Sequence, residues 1–296
     1  MISIFYGRQK PIGEGQISDV TNNNINSYNV DTQHILDFNN TTQDILSVNT
    51  GSKKDEKFYD SKSCLLNILT FNCKNIKTCG LLFKELEKKV DLYLIQEHLL
   101  FDCQLDLLNE IHNDYIGIGK AVDSNDLIPP IQMPRGYGGI AILWRKEQDM
   151  YSLITSLKIG NERIQCVETE VNPNTLIVSL YLSCKSSNNH FSELCECIDL
   201  LHEILETYES THHIGGDFNE NILSITLSNR KNYITTFMND HQLLSKEIGT
   251  AYIHPSGNAS SAIDYILYDK NNKDNILNIN RLESTTNVYL TISQYY

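Results

Sequence analysis

Short apolar runs recur along the chain from residue 64 to its end, each about as long as a single β-strand. They occupy residues 64–71, 91–96, 138–144, 164–171, 176–182, 213–216, 262–268 and 289–292. Two other segments, residues 79–90 and 192–208, carry apolar residues at the spacing of an amphipathic helix. Many strands interleaved with few helices favour an α/β sandwich of two sheets over a single doubly wound sheet.

The first 62 residues differ in composition from the rest. They contain asparagine-rich stretches at 22–24 and 39–42, a charged stretch at 53–57 and no sustained apolar periodicity. A segment of this kind buries too little apolar surface to fold by itself. We therefore predict a disordered polar leader over residues 1–62 and one folded domain over residues 63–296.

The sequence carries no signal for export or for membrane insertion. The N-terminus lacks a long apolar core behind a basic start, and no apolar run is long enough to span a bilayer. The eight cysteines are scattered, mostly within apolar patterns, and no Cys-x-x-Cys occurs. These features predict reduced, buried thiols in an intracellular protein, nuclear or cytoplasmic, that has no membrane partner.

The chain is acidic, with a formal net charge of −13, and most of the acidic excess lies after residue 62. Nucleic acids are normally bound by Lys and Arg side chains that neutralise phosphates. Binding of DNA or RNA by this chain therefore requires either a local basic patch or a metal ion that bridges like charges.

Residues 214–219 read Ile-Gly-Gly-Asp-Phe-Asn and combine a carboxylate, Asp217, with an amide, Asn219. If the segment is extended, these two side chains point the same way. One group can then take a proton while the other holds a phosphoryl oxygen. The glycines allow a sharp turn and a close approach by substrate. An ordinary turn has the same composition. The segment therefore indicates a catalytic site only in combination with the other polar positions.

Several further polar residues share one placement, in or just past an apolar run: Asn72, Glu97, Tyr181 and Asp264. Strand ends converge on one edge in layered α/β proteins, so distant segments can build one pocket there. Each residue also has an ordinary structural explanation. Asn72 suits a turn, Glu97 a salt bridge and Tyr181 a core position. A buried Asp264 needs a partner, which in hydrolases is often a histidine.

A flexible loop of sequence Arg-Gly-Tyr-Gly-Gly precedes the apolar run at 138–144. A simple glycine turn explains this composition. Alternatively, Arg135 and Tyr137 bind substrate, through contact with a phosphate backbone or stacking on a base.

Taken in order, six segments resemble the motifs of the endonuclease/exonuclease/phosphatase superfamily. They are NILTFNCKNI (67–76), DLYLIQEHLL (91–100), RGYGGIAILW (135–144), LIVSLYL (176–182), HHIGGDFNENI (212–222) and TAYIHPSGNASSAIDYIL (250–267). Within the superfamily, the chain looks most like the apurinic-type endonuclease domain of non-LTR (LINE-like) retrotransposons. The resemblance covers roughly residues 64–293.

The resemblance implies a DNase I-like fold, a four-layer α/β sandwich of two mixed β-sheets flanked by helices. It also implies cleavage of phosphodiesters, with DNA as partner, Mg²⁺ or Mn²⁺ as the ion and no small-molecule cofactor. Glu97 would hold the metal, helped by Asn72, and Asp217 would orient and deprotonate the attacking water. Asn219 and Tyr181 would bind the scissile phosphate. The ion would also offset the repulsion between acidic residues and phosphate.

One departure from the family pattern concerns the C-terminal motif Ser-Asp-His, whose histidine pairs with the aspartate matched by Asp264. Here Asn287 and Val288 stand where Asp and His are expected. Valine neither donates a hydrogen bond nor carries charge, so Asp264 lacks its usual partner unless His254 or another histidine reaches it. We therefore predict impaired hydrolysis on a retained fold.

Two alternatives to a DNA-nicking endonuclease stay open from the sequence. One is a catalytically silent remnant that binds nucleic acid or protein through the old cleft. The other is a phosphodiesterase or phosphatase of a lipid, an inositol phosphate or an RNA tail, which the acidic charge favours over DNA. The oligomeric state is not predicted.

Overall fold

A computed structural model describes residues 63–123, 136–147, 153–170, 174–186, 188–246, 252–253, 260–282 and 287–295. The predicted leader over residues 1–62, Arg135 and His254 lie outside the described residues. No helix within the described ranges is both long and apolar enough to cross a lipid bilayer.

The described residues form strands and three α-helices, joined in places by short 3₁₀ turns. The strands are β1 (Ser63–Asn72), β2 (Leu92–Gln96), β3 (Tyr115–Lys120), β4 (Ile140–Arg145), β5 (Ile154–Ser156), β6 (Ile164–Thr169), β7 (Thr175–Tyr181), β8 (Thr211–Asp217), β9 (Leu243–Ser245), β10 (Tyr252–Ile253), β11 (Ser260–Ser261), β12 (Asp264–Asp269), β13 (Ile276–Leu282) and β14 (Asn287–Tyr295). The helices are α1 (Gly80–Leu86), α2 (His190–Thr207) and α3 (Asn229–Asp240).

The strands form two six-stranded sheets and one small pair, β10–β11. The first sheet has the order β13–β14–β1–β2–β4–β3, and the second has the order β5–β6–β7–β8–β12–β9. Each sheet contains one parallel pair, β1–β2 in the first and β7–β8 in the second, and its other neighbouring strands are antiparallel. Both sheets are therefore mixed.

Three apolar layers hold the sheets and helices together. Between the sheets, side chains such as Ile68, Leu94 and Ile177 pack face to face. The outer face of the first sheet packs against α1, and the outer face of the second packs against α2 and α3. This order of helix, sheet, sheet and helix confirms the predicted α/β sandwich of two mixed sheets flanked by helices.

The helix predicted over residues 192–208 corresponds closely to α2, whose buried face includes Leu194, Ile198, Leu201 and Leu205. The helix predicted over residues 79–90 is shorter in the structure, because α1 ends at Leu86. The strand predicted over residues 138–144 starts only at Ile140, since Gly138 and Gly139 have φ angles of 55° and 82°. Helix α3 was not predicted. It begins after Ser228, whose hydroxyl accepts a hydrogen bond from the backbone N–H of Lys231 as an N-cap.

The prediction that the thiols are buried is confirmed for some of the cysteines and wrong for others. Cys73, Cys79, Cys166 and Cys197 are buried, whereas Cys103 and Cys184 are exposed and Cys195 is half-buried. All seven are free thiols, so no disulfide forms among the described cysteines.

Candidate active site

The carboxylate of Asp217 is held in place at the edge where the two sheets meet. Asn72 is the last residue of β1 and Asp217 the last of β8, and both side chains are buried. Nδ2 of Asn72 donates a 3.0 Å hydrogen bond to Oδ2 of Asp217, so the contact links the two sheets. Oδ1 of Asp217 accepts a second 3.0 Å hydrogen bond from the backbone N–H of Asn219. These two donors fix the orientation of the carboxylate.

Glu97 is presented by a strained turn directly after β2. Its φ angle of 54° lies in the left-handed region, which is uncommon for a residue with a side chain. Its backbone N–H donates to the carbonyl oxygen of Gly139 at 2.9 Å, which ties the turn to the glycine loop. The hydroxyl of Tyr181 donates a 2.7 Å hydrogen bond to Oε1 of Glu97. The backbone and the side chain of Glu97 are thus both restrained.

Tyr181 connects the two carboxylates. It is the last residue of β7 and lies beside Asp217 in the parallel β7–β8 register. Burial raises the pKa of the Tyr181 phenol well above its usual value, and the negative charges of Glu97 and then of Asp217 raise it further. The phenol therefore keeps its proton at neutral pH and acts as a hydrogen-bond donor. Tyr181 therefore bonds directly to Glu97 and neighbours Asp217 in the sheet, which places both carboxylates at one edge of the fold.

Asn219 reaches the site in a different way from the one predicted. The side chains of Asp217 and Asn219 point the same way only if the segment is extended, but β8 ends at Asp217 and Asn219 has a φ angle of 49°. The condition is not met, because the chain turns at once after the carboxylate. The side-chain Nδ2 of Asn219 donates to the carbonyl oxygen of Leu182 at 2.8 Å. Asn219 thus lies close to Asp217 in the chain, and its side-chain amide is held by the backbone carbonyl of the residue that follows β7.

Asp264 lies beside Asp217 but is chemically distinct from it. It begins β12 and faces Asp217 in the antiparallel β8–β12 register. The side chain is completely buried, and neither carboxylate oxygen accepts a hydrogen bond from any residue that the structure describes. Burial alone raises the pKa of Asp264 well above its usual value. A buried carboxyl group without a donor is costly to ionise, so this position needs a partner to hold a charge.

The departure at Asn287 and Val288 falls at the same edge of the fold. Strand β14 begins at Asn287, and Val288 pairs with Thr70, two positions before Asn72 in β1. The start of β14 therefore runs alongside the end of β1 that carries Asn72.

The glycine loop that precedes β4 supports the Glu97 turn. The backbone N–H of Leu99 donates to the carbonyl oxygen of Gly138 at 3.0 Å, in addition to the bond between Glu97 and Gly139. A Cβ atom on Gly139 would lie only 2.3 Å from Cε1 of the His98 ring. His98 is fully buried, and burial lowers its pKa to about 4, so its ring is neutral at physiological pH. The glycines are therefore required for close packing as well as for turning.

Tyr137 is 46% exposed and lines a cavity of about 330 Å³ together with Tyr181, Arg163 and Glu193. The guanidinium carbon of Arg163 lies 5.9 Å from the centre of the Tyr181 ring, and Nη2 of Arg163 is 3.1 Å from Oε2 of Glu193. Arg163 therefore lies at the mouth of the site as an ion pair with Glu193. Arg163 was not predicted from the sequence, because no apolar run or motif indicates this residue.

Gln96 is a second residue that the sequence analysis missed. It is fully buried at the end of β2, and its Nε2 donates to Oγ1 of Thr70 at 3.2 Å and to Oγ of Ser179 at 3.1 Å. Ser179 belongs to β7, so Gln96 links the two sheets directly behind Glu97. The available signal was a long polar residue at the end of an otherwise apolar run.

The residues at this edge fit a small divalent cation. Two carboxylates, Glu97 and Asp217, converge with the amide of Asn72, and oxygen atoms of this kind are the ligands that Mg²⁺ and Mn²⁺ prefer. Within the described part of the chain, no Lys or Arg forms an ion pair with Glu97. A divalent ion would supply the positive charge that this half-buried carboxylate otherwise lacks.

Comparison with known proteins gives matches by structure and none by sequence. A scan against protein-family models finds no matching family, and a search of curated proteins finds no match. An AP endonuclease, LMAP from Leishmania major, matches with a TM-score of 0.58 at 9% identity, covering 85% of this chain and 93% of that one. The endonuclease domain of TRAS1, a telomere-specific non-LTR retrotransposon, matches with a TM-score of 0.56 at 13% identity, covering 78% of this chain and 98% of that one.

A third match is the 3′ phosphatase NExo from Neisseria, bound to a product DNA hairpin, with a TM-score of 0.55 at 13% identity. It covers 75% of this chain and 97% of that one. The chain therefore shares the fold of these solved enzymes, a DNase I-like α/β sandwich of two mixed sheets flanked by helices, as predicted. At these identities the likeness concerns the fold.

Proposed function

We propose that this chain is a divalent-metal-dependent phosphodiesterase that nicks DNA, and that it derives from the endonuclease domain of a retrotransposon. One observation carries the proposal above all. Glu97 follows β2 of the first sheet and accepts a hydrogen bond from the hydroxyl of Tyr181 on the second sheet. Tyr181 lies beside Asp217 in the β7–β8 register, and Asn72 of the first sheet bonds to Asp217. Such convergence of oxygen ligands and donors suits a phosphate diester and its ion.

Glu97 and Asn72 are the residues that would hold Mg²⁺ or Mn²⁺. When bound, the ion supplies Lewis-acid stabilisation of the charge that builds on the phosphoryl oxygens. The bond from Tyr181 orients the Glu97 carboxylate, with Oε1 engaged by the phenol. The backbone bond between Glu97 and Gly139 keeps the whole turn in place.

Asp217 is the proposed general base. Its two oxygens already accept bonds from Asn72 and from the backbone of Asn219, so the carboxylate is oriented before substrate arrives. It takes a proton from a water molecule as the water oxygen attacks phosphorus. The bond from phosphorus to the leaving oxygen breaks, and that oxygen acquires a proton from solvent. General-base assistance of this kind contributes about 10²–10⁴-fold.

Tyr181 and Asn219 are the proposed donors to the scissile phosphate. The raised pKa of Tyr181 keeps the phenol protonated, as a donor must be. Donors that are already in position as charge develops stabilise the transition state more than mobile water does. In this scheme the Tyr181 hydroxyl, which donates to Glu97 in this structure, would donate to the scissile phosphate when substrate is bound.

DNA is the proposed substrate for two reasons: the residues that line the mouth of the site, and the activities of the proteins whose structures match. Tyr137 and Arg163 line the cavity beside Tyr181. Tyr137 offers a ring for stacking, and Arg163, now ion-paired with Glu193, would contact a phosphate that replaces that carboxylate. Arg135 belongs to the same loop by sequence. The structural matches include a retrotransposon endonuclease domain and a 3′ phosphatase bound to a product DNA hairpin. An intracellular location, nuclear or cytoplasmic, fits such a substrate.

The proposed turnover is slow because of Asp264 and Val288. In the related motif a histidine pairs with the buried aspartate, whereas Val288 offers no donor. A buried carboxyl group with a raised pKa and no donor among the described residues cannot orient a catalytic partner.

The test is nicking of supercoiled plasmid in Mg²⁺, with EDTA and Glu97→Ala as controls. The proposal predicts slow nicking that requires the ion and Glu97, and a faster rate for Val288→His. Nicking by the wild type at the rate of Val288→His would refute the impairment. Nicking that persists in EDTA would refute the metal dependence.

A second candidate, a silent module that binds DNA or protein, is favoured by the absence of a histidine at position 288. A third, a phosphodiesterase or phosphatase of a smaller substrate, is favoured by the net charge of −13. Parallel assays on plasmid, an inositol phosphate and p-nitrophenyl phosphodiesters separate the three. The silent module predicts binding without turnover, and the third candidate predicts turnover of small esters without nicking.

A further inference from the structure

A compact group of metal-ligating side chains lies on the helical layer that covers the second sheet. His202 and Glu206 stand one turn apart on α2, and His241 directly follows the last residue of α3. Nδ1 of His202 and Nε2 of His241 are 2.7 Å apart. One ligand atom from each of the three residues lies within 4.8 Å of the other two.

We propose that His202, Glu206 and His241 bind a transition-metal ion that prefers imidazole ligands, with Zn²⁺ as its representative. Two histidines, one carboxylate and a water molecule complete a four-coordinate site. Two nitrogens bound to one tetrahedral ion at about 2.0–2.1 Å lie roughly 3.3 Å apart. The imidazoles therefore need to separate by only about half an ångström, and both belong to side chains that reach solvent.

The surroundings of the site support a bound ion. The ring of Phe237 lies 4.9 Å from the ring of His241 and supports it from the α3 side. A cavity of about 600 Å³ opens beside Glu206 and His241, and His212 and Glu209 also line it. There is room for a coordinated water, and further ligating groups lie at the rim. The alternative is a direct hydrogen bond between the two imidazoles with no ion.

This site is separate from the candidate active site in both place and chemistry. The group lies near the end of α2 and beside the start of β8, whereas Asp217 ends β8. The length of β8 puts the two sites roughly 20 Å apart, at about 3.3 Å per residue. The active-site ligands are oxygens, which suit Mg²⁺, whereas imidazole nitrogens suit Zn²⁺. An ion here joins α2 to the end of α3 and stabilises the helical layer without taking part in phosphodiester cleavage.

The test is calorimetric titration of the metal-stripped full chain with Zn²⁺ in an excess of Mg²⁺, which occupies the oxygen-rich site. We expect one Zn²⁺ per chain, with affinity reduced at least tenfold in His202→Ala and in His241→Ala. His112→Ala is the matched control, because His112 lies with Glu87 and Asp114 in another group of similar composition. It should leave the affinity unchanged. Unaltered binding in both His202→Ala and His241→Ala would overturn the proposal.

Two further readouts do not depend on nuclease activity. Zn²⁺ should raise the unfolding temperature of the wild type but not of His241→Ala, because an ion that binds only the folded state stabilises it. Co²⁺ in place of Zn²⁺ should give the intense visible absorption of a four-coordinate site, and His202→Ala should lose it. Equal unfolding temperatures of wild type and variants in EDTA show that the variants fold. A Zn²⁺ shift of the same size in wild type and His241→Ala would contradict the inference.

Discussion

The hydroxyl of Tyr181 donates a 2.7 Å hydrogen bond to Oε1 of Glu97, although the two residues stand 84 positions apart. Tyr181 ends β7 of the second sheet, and Glu97 directly follows β2 of the first. This bond forms where the parallel pair of one sheet meets the parallel pair of the other. It brings a proton donor and a carboxylate together beside Asp217.

Replacement of Tyr181 by Phe should lower the rate of phosphodiester cleavage by about 10²-fold, the usual effect of removing one donor to a developing oxyanion. The loss should appear in kcat rather than in KM, because the donor acts mainly in the transition state. Nicking kinetics at saturating Mg²⁺ measure it. Tyr233→Phe is the control, since it removes another tyrosine–carboxylate bond, to Asp199 on the helical layer. Equal cleavage rates for Tyr181→Phe and wild type would show that the Tyr181 hydroxyl takes no part in cleavage.

Replacement of Gly139 by Ala should destabilise the protein by about 1–3 kcal/mol, the usual range for a side chain forced into an unfavourable backbone region. Gly139 has a φ angle of 82°, and the new Cβ would press on the His98 ring. Nicking should fall too, because the carbonyl oxygen of Gly139 holds the Glu97 turn.

Gly80→Ala provides the matched control for Gly139→Ala. A Cβ atom at Gly80 meets nothing within 4 Å, and alanine favours the helix that begins there. Urea unfolding of both variants measures the difference. A Gly139→Ala variant as stable and as active as Gly80→Ala would show that the loop does not support Glu97.

Replacement of Asp264 by Asn should stabilise the metal-free protein at pH 7–8. Burial raises the folded-state pKa of Asp264 above its unfolded value of about 3.9. Its stabilising contribution is therefore complete below the unfolded pKa and is lost as pH rises through the folded pKa. The gain in unfolding free energy of Asp264→Asn over wild type should shrink as pH falls towards 4. Unfolding experiments in the presence of EDTA measure this gain. The exposed Asp106→Asn is the control, and an advantage that does not change with pH would contradict the account.

Replacement of His213 by Leu should make the protein less sensitive to acid. His213 is fully buried on β8, neither ring nitrogen has a hydrogen-bond partner among the described residues, and burial lowers its pKa to about 3. The unfolded chain takes up a proton near pH 6.5 while the folded chain does not, so stability is lost as pH falls through that value.

The wild type should lose about 2 kcal/mol of unfolding free energy through His213 between pH 7 and pH 5, and His213→Leu should avoid this loss. Urea unfolding at the two pH values measures it. The same loss in the variant would show that the buried ring is not the source. The effect has the opposite sign to that of Asp264, so the two variants separate the two contributions.

The sequence predicted the layered fold because the strands are buried on one or both faces and read as apolar runs. Asn72, Glu97 and Asp217 were proposed as site residues for the same reason, since a polar residue at the end of an apolar run is easily seen. Helix α3 was missed because its buried face consists of only three side chains, Arg230, Ile234 and Phe237, one of them charged.

The parts of the site that were missed depend on contacts distant in sequence. Arg163 reaches the Tyr181 ring through the packing of β6 against β7, and no local pattern encodes that contact. The geometry of Asn219 was mistaken because a local spacing rule assumes a continuous strand, whereas the chain turns at residue 219 with a positive φ angle. Asp264 was proposed from its place in an apolar run, but the state of its carboxyl group depends on burial that only the folded structure shows.

The most direct test of the central claim compares single-turnover nicking by wild type, Glu97→Ala, Asp217→Asn and the double variant in Mg²⁺. When two residues act as one unit around a shared ion and water, removing both lowers the cleavage rate little more than removing one. We predict that each single variant falls to the background rate and that the double variant is no slower. Appreciable Mg²⁺-dependent nicking by Glu97→Ala, or losses that multiply in the double variant, would contradict the shared site.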